Sequence, residues 1–142
     1  MASIFTKIVK GEIPSYKVAE DENYYAFLDI NPLAKGHTLV IPKKEVDYIF
    51  DLDDETYKGL FDFTKKVAEA VEKSVDCIRL GMVVYGLDVP HVHIHLIPLK
   101  GVGNELNFSN PKVKLSDDEF REIASAIGSE FNKTLLEEDG KI

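Results

Sequence analysis

The stretch His91-Val92-His93-Ile94-His95-Leu96-Ile97-Pro98 constrains the fold more than any other part of the chain. Histidines alternate with aliphatic residues, the period-2 signature of a half-buried strand whose side chains point to opposite faces. The three imidazoles are then expected on one face, about 6.5–7 Å apart by the usual rise per residue. Val92, Ile94 and Leu96 anchor the other face in a core. Three of the chain's four histidines lie in this stretch. Each ring carries two nitrogens that need partners, so a row of them serves no packing purpose.

The rest of the chain reads as an α+β fold. A length of 142 residues suggests one domain, large enough to bury a core. Ser3 caps a short helix through Lys10, ended by Gly11 and Pro14. Lys17 to Glu20 and Tyr24 to Leu28 form a hairpin around the turn Asp21-Glu22-Asn23. Asp29-Ile30-Asn31-Pro32 leads through the turn Lys35-Gly36 to a central strand, His37 to Ile41, which Pro42 stops. A long helix runs from Asp51–Asp54 to about Ser74, with Tyr57, Leu60, Thr64, Val67 and Val71 as its apolar stripe. Gly59 weakens it by about 1 kcal/mol relative to Ala.

Ile78 to Val84 is a continuous apolar run, hence a buried strand. It is expected to pair with the histidine strand as a tight antiparallel hairpin over the turn Gly86 to Pro90. Gly101 to Asn110 is loop. Ser116-Asp117-Asp118-Glu119 is a capping box that opens a helix burying Phe120, Ile123, Ile127 and Phe131. The acidic tail from Glu137 is expected to fray. The order predicts a five- or so-stranded, mainly antiparallel sheet with one long helix, a short N-terminal helix and a C-terminal helix.

Charge and cysteine usage narrow the function classes. The net charge of −8, from 25 acidic and 17 basic side chains, argues against a nucleic-acid binder but allows a small phosphorylated ligand. Cys77 is the single cysteine, which fits a reducing compartment. No apolar run reads as a signal peptide or membrane span, so no membrane partner and a cytoplasmic protein are expected.

Three readings compete for the histidine row. Two strand histidines with His37 could ligate zinc, as in a zinc hydrolase. A neutral imidazole is a good nucleophile towards phosphorus, and its neighbours can donate to phosphate oxygens. Three solvated polar residues on an outer sheet face are the plain alternative.

The stretch resembles the motif of the histidine triad (HIT) superfamily. Ile4-Phe5-Thr6-Lys7-Ile8-Val9, with Gly11-Glu12-Ile13-Pro14, resembles the family's opening helix. Ala26-Phe27-Leu28-Asp29-Ile30-Asn31-Pro32 and Gly36-His37-Thr38-Leu39-Val40-Ile41-Pro42-Lys43 resemble its central segment. The likeness runs from Ile4 to about Pro98 and is closest to the Hint branch. It implies one HIT domain over residues 1–142, with 1–100 as the core and 101–142 as a divergent extension.

What the resemblance implies is a homodimer that binds purine nucleotides, AMP or GMP derivatives. Such proteins cleave the nucleoside monophosphate from a phosphoramidate, acyl-phosphate or dinucleotide through a nucleotidyl-histidine intermediate. Carried over, His93 is the nucleophile, His91 orients it, His95 donates to the phosphate, and His37 joins the cluster. Ile4, Phe5, Ile8, Phe27 and Ile30 would line the base and Asp29 would accept from the ribose hydroxyls. No metal or other cofactor is required, and Mg²⁺ would accompany only a polyphosphate substrate. The alternative function is a nucleotide-binding module with little catalysis. An exposed sheet edge and the long helix around Leu60 and Val67 are the candidate dimer faces, and the sequence does not choose between them.

The pattern breaks in three places. Ser3 and Thr6 stand at two cysteine positions, and Glu45 at a histidine position, of the structural zinc site in many bacterial relatives, so that zinc is not expected. The segment before the triplet, Tyr85-Gly86-Leu87-Asp88-Val89-Pro90, lacks the expected asparagine and glutamine; Leu87 cannot donate to a phosphate. Asp88 would repel a phosphate or bind a cationic leaving group. The chain from Gly101 onward does not match the Hint tail.

Overall fold

The computed structural model describes residues 2–138 and 140. Its elements, in chain order, are α1 (Ile4–Val9), β1 (Lys17–Glu20), β2 (Tyr24–Leu28), β3 (Thr38–Pro42), a 3-10 turn (Ile49–Asp51), α2 (Asp54–Ser74), β4 (Arg79–Val83), β5 (Ile94–Leu99) and α3 (Asp117–Glu138). The five strands form one sheet in the order β1-β2-β3-β5-β4, and every pairing among them is antiparallel. The α+β reading and its helix inventory stand.

Local chemistry sets the helix starts. The Thr6 N–H donates to Ser3 Oγ at 3.0 Å and the Thr56 N–H to Asp53 Oδ1 at 3.0 Å, so α1 and α2 each begin behind an N-cap side chain. At α3 the capping box is reciprocal: Glu119 N–H donates to Ser116 Oγ, and Ser116 N–H to the Glu119 carboxylate. Glu137 and Glu138 still belong to this helix, where a frayed tail was expected. The remainder of that tail lies outside the described residues apart from Gly140.

The sheet is covered on both faces. Ala26, Leu28, Val40, Val92, Ile94 and Leu96 face α2 and α3 in the main core. Tyr25, Phe27, Leu39 and Ile41 face the other way and pack on Phe5 and Ile8 of α1. All five residues of β2 and of β3 are therefore buried, as strands covered twice must be. Leu60 and Val67 point inward and are fully buried against the chain's own core, so they cannot form a dimer face. The C-terminal helix packs on α2 and β1 of the same chain.

Four strand expectations need correction. The apolar run 78–84 is not a buried strand. β4 pairs only with β5, and Ile78, Met82 and Val84 are exposed; apolar composition here marks an unpartnered edge rather than a core. The β4–β5 hairpin is not tight, since Val83 pairs with His95 and residues 84–93 form the connection. The strand itself starts at Ile94, not at His91. Val92 N–H donates to Val46 O at 2.7 Å and the His91 ring to Pro42 O, so this lead-in is tied to the chain after β3 rather than to β4. Finally, Pro42 ends β3 from inside, paired with Tyr24. It is tolerated because β5 pairs with β3 only up to Val40 and asks no N–H of it.

Candidate active site

Alternation puts the three rings on one face although only His95 lies within the strand. Phe5 of α1 meets His91 and His93 edge-on, with centroids 5.8 and 5.0 Å away. The His93 and His95 rings are 5.0 Å apart, closer than an ideal strand would place them, and His37 lies 5.2 Å beyond His95. All four histidines are buried, with 3 % exposure or less. These are not solvated surface residues.

The hydrogen bonds assign the tautomers. The Leu33 N–H donates to His37 Nδ1 at 3.0 Å. His37 must therefore carry its proton on Nε2, which donates to His95 Nδ1 at 2.9 Å. That leaves His95 with an N–H at Nε2. This atom is buried and has no partner among the described residues. An orphaned buried donor is costly, and a ligand oxygen is what would satisfy it. Burial holds both rings neutral, lowering His37 to about 3 and His95 to about 4, and each is further depressed by a neighbouring imidazole.

His93 is held differently. Its Nδ1–H donates to the carbonyl of His91 at 2.7 Å, which leaves Nε2 on the opposite side of the ring. Asp88 Oδ1 sits 3.1 Å from that nitrogen. His91 thus touches the nucleophile candidate through its main chain, while its own ring is tied down on both nitrogens. Nε2–H donates to Pro42 O at 2.8 Å and Nδ1 accepts from Ser3 Oγ at 2.7 Å. Burial lowers its pKa as well.

Ser3, Thr6, Glu45 and His91 do meet, as a hydrogen-bonded cluster. Ser3 N–H and Thr6 Oγ1 both donate to Glu45 Oε1 at 2.6 Å. Two hydroxyls, already engaged with the cap and the carboxylate, are a poor donor set for zinc, which takes thiolate and imidazole at structural sites. These residues do not fit the metal that cysteines would hold there. Asp29, His37 and His95 also place potential ligand atoms within 4.8 Å of one another. Their His–His contact is filled by the N–H that His37 donates to His95.

The residues expected to bind a nucleoside are distributed unevenly. Phe5, Ile8 and Phe27 are buried in the apolar cluster beside the histidines, with Phe5 and Phe27 edge-to-face at 5.4 Å. Ile4 and Ile30 are exposed. Asp29 accepts the Asn31 N–H at 2.9 Å through Oδ1, and its Oδ2 lies 3.5 Å from His37 Nε2. Burial raises its pKa. A cavity of about 370 Å³ opens beside His93, walled by Tyr48, Phe50, Val84, Tyr85 and Leu87.

Two features of the site were not anticipated from sequence. Residues after β5 return to it: Phe108 meets His95 edge-on at 4.8 Å and stacks on Tyr85 at 5.3 Å. The Val113 N–H donates to Pro32 O at 2.8 Å and pins that segment, and the Lys112 ammonium acts electrostatically on both Asp29 and His37. The one signal for this was a single aromatic in a mostly polar loop, Asn104 to Asn110.

The arrangement sets His93 Nε2, which faces Asp88, near the fixed N–H donor of His95. Against known proteins, residues 10–102 match the HIT domain family. The chain belongs to the HIT family. It is 42 % identical over 106 residues to Protein hit of Bacillus subtilis, covering 71 % of this chain and 73 % of that protein. It is 36 % identical over 132 residues to adenosine 5'-monophosphoramidase hnt1 of Schizosaccharomyces pombe, covering 92 % and 99 %. The crystal structure of a HIT-like protein from Bartonella henselae superposes with a TM-score of 0.77 at 34 % identity, covering 90 % of this chain and 95 % of that one. HIT membership supports nucleotide binding and hydrolase chemistry in general terms. No helix among the described residues is long and apolar enough to cross a membrane.

Proposed function

We propose that this HIT protein transfers the nucleoside monophosphate of a purine nucleotide, AMP or GMP, from a phosphoramidate or related leaving group to His93 and then to water. The observation that carries the reading is the pairing of His93 Nε2 with the unpartnered, buried Nε2–H of His95. One is placed to attack phosphorus, the other to receive the charge that builds on a phosphoryl oxygen. Phe5, Ile8, Phe27 and the exposed Ile4 and Ile30 are assigned to the base, Asp29 to the ribose. The attack uses imidazoles alone and asks for no metal; Mg²⁺ would serve a polyphosphate substrate only. The adenosine 5'-monophosphoramidase name of the fission-yeast relative supports an amine leaving group.

The reading includes a second copy of the chain. β4 is an edge strand, and Tyr48, Phe50, Met82, Val84 and Tyr85 beside it are exposed. Pairing of two β4 strands across a two-fold axis would cover that patch and wall the cavity beside His93. Light scattering at micromolar concentration is expected to give a dimer.

His93→Ala should abolish turnover of an adenosine phosphoramidate while nucleotide affinity stays within about tenfold, because the ring contributes to attack more than to ground-state binding. An adenylated peptide containing His93 is expected from the wild type, in the presence of a chelator as in its absence. Normal turnover by the variant would remove the nucleophile assignment; binding without adduct or product would leave a nucleotide-binding module.

A further inference from the structure

Asp88 stands where nothing in the proposed chemistry asks for a carboxylate. Its Oδ1 lies 3.1 Å from His93 Nε2, on the line a phosphorus atom must take. His93 Nδ1–H is committed to the His91 carbonyl. A second proton must therefore lie between Nε2 and the carboxylate, since a bare lone pair and an ionised carboxylate would repel at that distance. The pair shares this proton either as imidazolium and carboxylate or as imidazole and carboxylic acid.

The position suits a group that gives way. Asp88 sits in the 84–93 connection, with its side chain 58 % exposed. The turn holds Gly86 at φ +75°, with open space around it. Asp88 is also three residues from His91, whose ring is fixed to Ser3 and Pro42, so a displaced carboxylate stays beside the reacting centre. The groups it feels are His93, His95 and Asp29, all members of the site.

We propose that Asp88 is the proton carrier of the reaction: it retains the proton shared with His93 Nε2 and delivers it to the departing amine nitrogen. This rests on the nucleotidyl-transfer reading above. The step balances. The proton on the Nε2 side passes to the Asp88 carboxylate, the freed Nε2 lone pair forms the N–P bond, and the P–N bond to the leaving group breaks with its electron pair going to nitrogen. That nitrogen takes the proton from the Asp88 carboxyl. Asp88 is left as a carboxylate next to a neutral amine whose N–H groups it can accept. The nucleotidylated His93 ring keeps its Nδ1 proton on the His91 carbonyl. An alkylamine cannot leave as an anion, so it is on phosphoramidates of basic amines that this proton counts. A leaving group that departs readily as an anion gains nothing from Asp88.

The test compares two substrates with the same nucleotide: an AMP phosphoramidate of a primary alkylamine, and the p-nitrophenyl ester of AMP, whose leaving group needs no proton. Asp88→Asn keeps the size and can still hydrogen-bond Nε2, but it has no proton of this kind to give. It should lower kcat on the phosphoramidate by about 10²–10⁴-fold, the range of general acid catalysis, and change kcat on the ester by less than about threefold. Asp88→Glu should restore part of the loss on the phosphoramidate alone. Equal losses on both substrates, or no loss on either, overturn the proposal while leaving His93 as nucleophile if His93→Ala inactivates both. Wild-type turnover that does not depend on His93 overturns the nucleotidyl-transfer reading and this proposal with it.

Discussion

Acidification well above the carboxylate range should destabilise this protein, and the His37–His95 pair sets the amount. His37 and His95 are buried neutral, with folded-state values of about 3 and about 4. In the unfolded chain both return to about 6.5. The unfolded state therefore binds more protons at any pH below about 6.5, and stability falls as pH drops through that value. The loss continues until the folded values are reached, and above about pH 7.5 it is nearly absent. At pH 5 each ring lies about 1.5 units below its unfolded pKa and still above its folded one, which costs about 2 kcal/mol per ring and about 4 kcal/mol for the two. That is a large share of a typical stability of about 5–15 kcal/mol. His91, lowered by burial, acts with the same sign. Asp29, raised by burial, partly offsets it. Carboxylates held low, such as Glu45 at about 2 through its Ser3 and Thr6 donors, lose their contribution only below about 4.5 and leave the window to the histidines. Urea unfolding at pH 7.5, 6.5, 5.5 and 5.0, at one protein concentration so that any self-association is held fixed, measures the change. His37→Gln removes one of the two titrating rings and should cut the difference between pH 7.5 and 5 by about 2 kcal/mol, whatever its absolute stability. A stability flat to within about 1 kcal/mol over that range, or the same slope in the variant, would refute the claim that these rings are buried and neutral.

Two further outcomes follow from close contacts. Gly59→Ala should lower the melting temperature instead of raising it: a Cβ there would lie 2.0 Å from Tyr24 Oη, which donates to Thr56 O while its ring stacks on Phe63. Displacing it should outweigh the helix-propensity gain of about 1 kcal/mol and leave the variant about 1–2 kcal/mol less stable by thermal melting. The triple substitution Ser3→Cys, Thr6→Cys and Glu45→His, beside the native His91, should retain about one zinc per chain through dialysis, measured by elemental analysis. The four side chains already converge, with Ser3 Oγ 2.7 Å and Thr6 Oγ1 3.4 Å from His91 Nδ1, so failure to hold zinc would contradict that convergence.

Much of the architecture was legible because local chemistry decides it. The bounds of β1 and β2, the cap at Ser3, a cap for the long helix within Asp51–Asp54, the box at Ser116 and Glu119, and the apolar stripes of the long helices all depend on residues within a turn or a few steps of one another. The common face of His91, His93 and His95 also followed from alternation alone, since extended backbone alternates whether or not it is paired.

Whatever depends on a distant partner was settled only by the tertiary structure. The apolar run at 78–84 looks the same in sequence whether a strand is central or outermost, and only the strand order made it an edge. Gly59 reads as a weak point of a helix until Tyr24, distant in sequence, is packed against it. Which histidine nitrogen carries a proton depends on the Leu33 N–H and on the carbonyls of Pro42 and His91, each set against a different ring. Alternation by itself put three imidazoles on one face, while His37 was tied to them by family resemblance and not by spacing. The fold decided which is a donor, which offers a lone pair, and what stands in front of it, because hydrogen-bond direction is a property of positions in space.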